Sequence, residues 1–158
     1  MVYYQYVKTP VGKLLVAGDE KGVHLINFPK NGKPSLPKPE WKENPKPFQE
    51  ALRQLEAYFA GKLKAFSLDI CLNVTPFQKK VLSALCQVPY GETISYGELA
   101  KNIGNPKASR AVGQANARNP IPIVIPCHRA IGSNGKLTGF GGGIEVKQTL
   151  LDLEKQYR

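Results

Sequence analysis

Cysteine is scarce in this chain, with 3 in 158 residues. An odd number of thiols at Cys71, Cys86 and Cys127 builds neither a disulfide framework nor a four-ligand metal cage. At least one must be unpaired, and reduced thiols are the ordinary state in a cytosol. Long apolar runs are also missing. The longest, Ile121 to Ile125, is broken by proline, whereas a membrane-spanning helix needs roughly 18 apolar residues or more. The opening MVYYQYVKTP has no apolar segment behind a basic one, so no secretory signal is expected and the chain reads as intracellular. Acidic residues are few, 12 against 22 lysines and arginines, for a net charge of +10. That excess suits a polyanionic partner, because each neutralised phosphate releases counterions, and it equally suits a merely solubilising surface.

What is present describes one globular domain or two small ones. Hydrophobic residues at 42% and charged residues at 22% exclude wholesale disorder. Fifteen glycines and 13 prolines speak for many turns. In the first half, Tyr3–Lys8, Lys13–Gly18 and Val23–Phe28 read as strands separated by turn residues. Six prolines make Pro29 to Pro47 a surface loop. Phe48, Leu52, Leu55 and Phe59 recur at helical spacing up to Gly61, and Ala65–Cys71 can form a further strand. The expected class is α+β, with a scaffold over residues 1–72 and the chemistry over 73–158.

The second half carries helix signals. Thr75-Pro76-Phe77-Gln78 is a capping box with proline at the first helical position, and Phe77, Val81, Leu82 and Leu85 give an apolar face. Ser95-Tyr96-Gly97-Glu98 repeats the capping pattern for a short helix stopped by Gly104. Asn105-Pro106 opens a third helix through Ala117, so this pair reads as a helix-turn-helix. Its second helix has Arg110 and Arg118 among small residues, a surface fit for close, sequence-independent approach to a narrow groove. Helix–helix packing would use the same small residues. Val146, Leu150 and Leu153 outline a last helix bearing Glu154.

The β-branched run Ile121–Ile125 reads as a buried strand ending at Cys127, beside His128 and Arg129. Cationic neighbours favour the thiolate, and apolar surroundings oppose it. Glu154 can orient His128 as in other Cys-His-acid sets. On these residues alone a Cys-His hydrolase and a non-catalytic helix-turn-helix sensor or regulator both stay open.

The run IPIVIPCHRAIGSNGKLTGFGGG, with Pro126-Cys127-His128-Arg129 inside it, resembles the active-site signature of the O6-alkylguanine-DNA alkyltransferases. The stretch TPFQKKVLSALCQVPYGETISYGELAKNIGNPKASRAVGQANARNP resembles their helix-turn-helix, and VKQTLLDLE their terminal helix. The first half fits loosely their ribonuclease-H-like N-terminal domain. It shows no cysteine–histidine set of the kind some members use for zinc, so no metal and no cofactor are expected. The resemblance implies that a damaged guanine is rotated out of the duplex and its alkyl group passes to Cys127, once per molecule. It makes His128 and Glu154 the activators of Cys127, acting through a water, Tyr96 the donor to the base, and Asn119 the tie between loop and helix.

The same resemblance implies that Arg110 fills the gap left by the base. DNA is met by Tyr96, Ala108, Ser109, Arg110, Ala111, Gly113, Gln114, Ala115, Arg118 and Arg129. The loop Gly139–Gly143 closes the site, with Phe140, Gly141 and Gly142 against the base and the Gly141 amide donating to its oxygen. The carbonyls of Cys127 and Ala130 accept from the exocyclic amine. Many members have Tyr then Ser where Phe140 and Gly141 stand here. The implied partner is double-stranded DNA carrying O6-alkylguanine, with O4-alkylthymine a second lesion. The implied protein is a monomer without membrane attachment, cytoplasmic, or nuclear in a eukaryote.

Overall fold

Alternating β-formers and turn residues at the N-terminus fold into a sheet of order β3-β2-β1-β4 in the computed structural model, which describes every residue except 138, 139 and 141. Strands β1 (Tyr3–Thr9), β2 (Gly12–Asp19) and β3 (Gly22–Asn27) pair antiparallel in sequence order. The proline-rich loop supplies a short fourth strand, β4 (Lys42–Glu43), parallel to β1. On β2, Leu14, Leu15, Val16 and Ala17 are all fully buried, so this central strand is covered on both faces. Helix α1 (Gln49–Phe59) buries Ala51, Gln54, Leu55 and Tyr58, a face turned from the Leu52–Phe59 line expected from spacing. Phe48 is buried as the residue before the helix. Gln54 tolerates burial because its amide exchanges two hydrogen bonds with the Ser67 backbone. Residues 65–71 run extended beside β3, where the Val23 amide donates to Asp69 and the Cys71 amide to Val23. They make one isolated bridge, not the full strand anticipated.

This unit, Met1–Leu72, is one of two compact bodies; the other is Asn73–Arg158. In the second, the capping box forms at Thr75, whose hydroxyl accepts from the Gln78 amide at 3.1 Å, and α2 (Pro76–Leu85) buries Val81, Leu82 and Leu85. Each such burial contributes roughly 1.5–3 kcal/mol. Ser95 caps α3 (Tyr96–Asn102) through the Glu98 amide. Gly104, at φ +83, takes the left-handed conformation that ends α3. The chain then turns over Asn105–Ala108 into α4 (Ser109–Ala117), later than Asn105-Pro106 suggested.

Two dipeptide strands unseen in the sequence, β5 (Ile94–Ser95) and β6 (Ala130–Ile131), pair in parallel. Ser95 pairs with Ile131, so Tyr96, just after β5, begins α3 level with the end of β6. The chain ends in α5 (Ile144–Tyr157). Among the described residues, no helix is long and apolar enough to cross a membrane.

Candidate active site

Prolines at 122 and 126 deny the Ile121–Ile125 run the amides a sheet ladder needs. The run is accordingly not a strand but a tight, buried turn. Ile125 N–H donates to the Ile121 carbonyl at 3.0 Å, and Ile123 sits at φ +74. A β-branched residue there costs on the order of 1–3 kcal/mol and persists only where its surroundings impose it. Asn119 imposes it: its amide nitrogen donates to the Ile125 carbonyl at 2.8 Å, and its oxygen accepts from the Ile121 amide at 3.0 Å. Pro126, at φ −79 and ψ 63, then forms an inverse γ-turn closed by the Cys127 amide on the Ile125 carbonyl. Cys127, His128 and Arg129 follow as one turn of 3-10 helix, all three buried.

Opposite this turn, α5 presents the buried stripe Lys147, Leu150, Glu154, one residue round from the Val146–Leu153 line. Glu154 Oε2 lies 2.5 Å from His128 Nε2. Arg129 grips the same carboxylate with Nε at 2.8 Å and a terminal nitrogen at 3.1 Å, and donates to the Val88 carbonyl at 2.7 Å. Burial opposes the charge on Glu154, yet the hydrogen bonds from His128 and Arg129 and the Arg129 guanidinium charge prevail and hold its carboxyl down at about 2. Burial pushes His128 below its ordinary value. A neutral ring facing an ionised carboxylate must carry its proton on Nε2, which leaves Nδ1 as a lone pair. Nδ1 is buried and has no hydrogen-bond partner among the described residues. It is a proton acceptor in waiting.

Cys127 is only 3% exposed. Burial pushes its thiol up to about 11, against the Asn119 side-chain amide bonded to it and the charge of Lys147. The resting sulfur is therefore protonated at neutral pH. The sequence-based idea that Arg129 would favour a thiolate fails because its charge is spent on Glu154. Arg129 is 7% exposed, so its expected place against DNA is corrected as well: it anchors the acid of the set.

Lys147, which sequence reasoning missed, is fully buried. Its ammonium donates to the Ala130 carbonyl at 2.5 Å and to the Tyr96 hydroxyl at 3.3 Å, and lies near the Tyr96 and Phe140 rings. Placing Glu154 on the inner face of α5 already put position 147, two turns earlier, on that face. The Ala130 carbonyl, expected to serve the base, thus also serves Lys147.

On α4, Ser109, Arg110, Ala111, Gln114 and Arg118 are exposed, and Ala108 and Gly113 are half-exposed. They form one outward strip with the two arginines at its ends. Ala115 turns inward with Val112 at 4% exposure, so its expected contact with DNA is corrected to core packing. Phe140 and Gly142 are half-buried, whereas Gly139 and Gly141 lie outside the described residues.

A family model described as 6-O-methylguanine DNA methyltransferase, DNA binding domain, matches residues 76–156, and the corresponding ribonuclease-like domain matches residues 2–72. The methylated-DNA–protein-cysteine methyltransferase of Methanosarcina acetivorans is 57% identical, covering 97% of this chain and 98% of that one. The chain belongs to this methyltransferase family. The Mycobacterium tuberculosis O6-methylguanine methyltransferase superposes with a TM-score of 0.92 at 46% identity, covering 100% of this chain and 95% of that one. The M. tuberculosis OGT crystallised with DNA gives 0.91 at 46% identity over 98% of this chain and 94% of that one. The family's α+β architecture is the one described above.

In the N-terminal unit of this methyltransferase homologue, Asp19, His24 and Cys71 bring ligand-type atoms within 4.8 Å of one another. The fold thus gathers a set that sequence spacing hid. His24 Nε2 lies 3.1 Å from Asp19 Oδ2, and the Lys21 amide donates to Asp19 at 2.8 Å, so the carboxylate is satisfied by protein groups.

Proposed function

We propose that this protein reverses alkylation damage in duplex DNA by moving the alkyl group of O6-alkylguanine onto Cys127. The observation that carries the reading is the 2.5 Å contact of His128 with Glu154 on the turn that holds the cysteine. It leaves a basic ring nitrogen one residue from a protonated thiol. In the reaction His128 Nδ1 takes the thiol proton through a water, the sulfur bonds the alkyl carbon, and the carbon–O6 bond breaks. The bond's electron pair stays on the purine. Tyr96 donates to the base and supplies the neutralising proton, which water restores as His128 sheds its own. Net, the thiol proton ends on guanine.

A thioether has no route back to a thiol here, so each molecule acts once. The Arg110–Arg118 strip of α4 is the DNA-facing surface, and Arg110 takes the space of the extruded nucleotide, a step costing a few kcal/mol. Thiol, base, acid and helix all come from one chain, so a monomer suffices.

Incubation with a duplex containing one O6-methylguanine, followed by intact-mass spectrometry and peptide mapping, tests this. One methyl group per molecule on the Cys127 peptide, none in Cys127→Ser, is the expected result. Methylation elsewhere, or product released beyond one equivalent, overturns it.

A further inference from the structure

We propose that the groove between α2 and α3, rimmed by Lys79 and Lys80, is a second seat for DNA, taking the sugar-phosphate backbone of a strand beyond the stretch met by α4. The proposal rests on the reading of α4 as the DNA-facing helix.

On α2, Pro76, Lys79, Lys80, Ser83 and Ala84 recur at helical spacing and share one side of the helix. That side lies away from the buried Val81, Leu82 and Leu85. With Asn102 and Ile103 at the end of α3, they line an open groove of about 490 Å³. Lys79, Lys80, Ser83 and Asn102 are exposed, and Ala84 and Ile103 are half-buried. All four polar side chains have a hydrogen to donate, and none is a carboxylate. Donors beside an apolar floor match a phosphodiester chain, whose phosphate oxygens accept from Lys, Ser and Asn side chains. A small-molecule pocket encloses most of its ligand, whereas an open trough suits a polymer that passes across it.

The charge here is local and not the average of a basic protein. A cleft in the N-terminal unit is lined by Asp19, Glu20, Glu50 and Asp69 with no cation among its lining residues, and it would repel the same polymer. Along the chain, no acidic residue stands between Asp69 and Glu92, or between Glu98 and Glu145. Those two stretches hold the groove and all of α4. Glu98, one turn before Asn102 on α3, is engaged by the Ser95 hydroxyl at 3.1 Å. The carbonyls at the C-terminal end of a helix also repel an anion. At the end of α3 they are taken up locally, because the Ile103, Gly104 and Asn105 amides donate to the Leu99, Lys101 and Ala100 carbonyls.

The groove is continuous with the α4 surface. From Ile103 the chain passes through Gly104–Ala108 to Ser109 and Arg110, with Lys101 before this turn and Lys107 within it, both exposed. Helix α4 packs against both α2 and α3, so groove and strip belong to one helical cluster.

The test is binding of a long undamaged duplex, followed by fluorescence anisotropy from about 50 to 200 mM salt. Each phosphate contact contributes about 0.9 to the slope of log affinity against log salt. The double variant Lys79→Gln/Lys80→Gln should lower that slope by about two, so that the wild type loses about tenfold more affinity than the variant over this range. Ser83→Arg should steepen the slope by about one, a gain that a misfolded protein does not give. Lys8→Gln/Lys21→Gln removes the same net charge from exposed sites of the N-terminal unit and should leave the slope unchanged. An unchanged slope in Lys79→Gln/Lys80→Gln overturns the proposal; should that variant not fold, an unchanged slope in Ser83→Arg does the same. An equal drop from the Lys8 and Lys21 pair also overturns it, since net charge would then be the cause. A groove variant that releases polyglutamate while its DNA slope stays put would hand the groove to an acidic polypeptide, and the proposal falls. Arg118→Ala separates the underlying reading. If its slope equals that of the wild type while Lys79→Gln/Lys80→Gln drops, the reading of α4 fails and the groove still stands as a seat for DNA.

Discussion

Glu154 and His128, 26 residues apart in the chain, meet at 2.5 Å with side chains 1% and 0% exposed. Its partners hold Glu154 as a carboxylate against its burial, and burial holds His128 as a neutral ring, so each titrates below its ordinary value. Unfolding releases both to ordinary behaviour, so acid must erode stability.

The erosion should come in two stages. Below about 6.5 the unfolded chain takes a proton at His128 that the folded protein refuses, which favours unfolding by up to about 1.4 kcal/mol per pH unit. Between about 4.5 and 2, Glu154 does the same, a further loss on the order of 3 kcal/mol. Stability from both is complete above these ranges. Urea midpoints measured against pH for the wild type and Glu154→Gln check this: the lower stage is smaller in the variant, which keeps only the lowered surface carboxyls Glu50 and Asp19. A wild-type midpoint that stays flat as pH falls through the lower range contradicts the pairing.

Arg129 gives a prediction opposed to its expected contact with DNA. Arg129→Met leaves Glu154 without the guanidinium that grips it in a dry site, and breaking a buried pair costs about 3–5 kcal/mol. Affinity for undamaged duplex and its salt dependence should stay unchanged, measured by fluorescence anisotropy at a temperature where the variant is folded. A salt slope reduced by about one, with unaltered stability, would return Arg129 to the DNA.

Asn119 closes the strained turn around Ile123. Asn119→Ala deprives the Ile121 amide and the Ile125 carbonyl of their partner, at about 1–3 kcal/mol each where water cannot replace it. It also removes the amide that pulls the Cys127 thiol downward. Urea unfolding should show the loss, and reaction of the folded variant with iodoacetamide should slow at fixed pH. A stability change within about 0.5 kcal/mol, the range of ordinary surface substitutions, would mean the turn holds itself.

What the sequence disclosed and concealed divides by range. The caps at Thr75 and Ser95 were legible because a hydroxyl and an amide three residues on decide them locally. The three N-terminal strands were legible by alternation and turn chemistry. Pairings that join distant segments, β4 on β1 and β5 with β6, leave no local trace in dipeptides. The Ile121–Ile125 run misled because its β-branched composition argues for a strand, whereas its prolines and the Asn119 side chain decide otherwise. In the site, a Cys-His dipeptide with a glutamate on the last helix suggested a set, of which the structure joins His128 to Glu154. Lys147 and Arg129 escaped because a buried cation is legible only through the partner that receives it.

Arg110 supplies the sharpest test of the outward strip of α4. It is exposed there with Arg118, two turns away, so neither side chain supports the fold and both are available to a polyanion. If Arg110 fills the gap left by an extruded base, its removal costs only where there is a gap to fill. Arg110→Ala should slow transfer from an O6-methylguanine duplex by about ten- to a hundredfold, since each 1.4 kcal/mol of lost compensation is a factor of ten and extrusion costs a few kcal/mol. Reaction with free O6-benzylguanine, which needs no extrusion, should keep its rate. Arg118→Ala separates charge from wedge: it should weaken duplex binding and lower the salt slope by about one, while transfer at saturating protein stays near the wild-type rate. Equal losses on duplex and free base in Arg110→Ala would place that side chain at the nucleophile instead of in the stack.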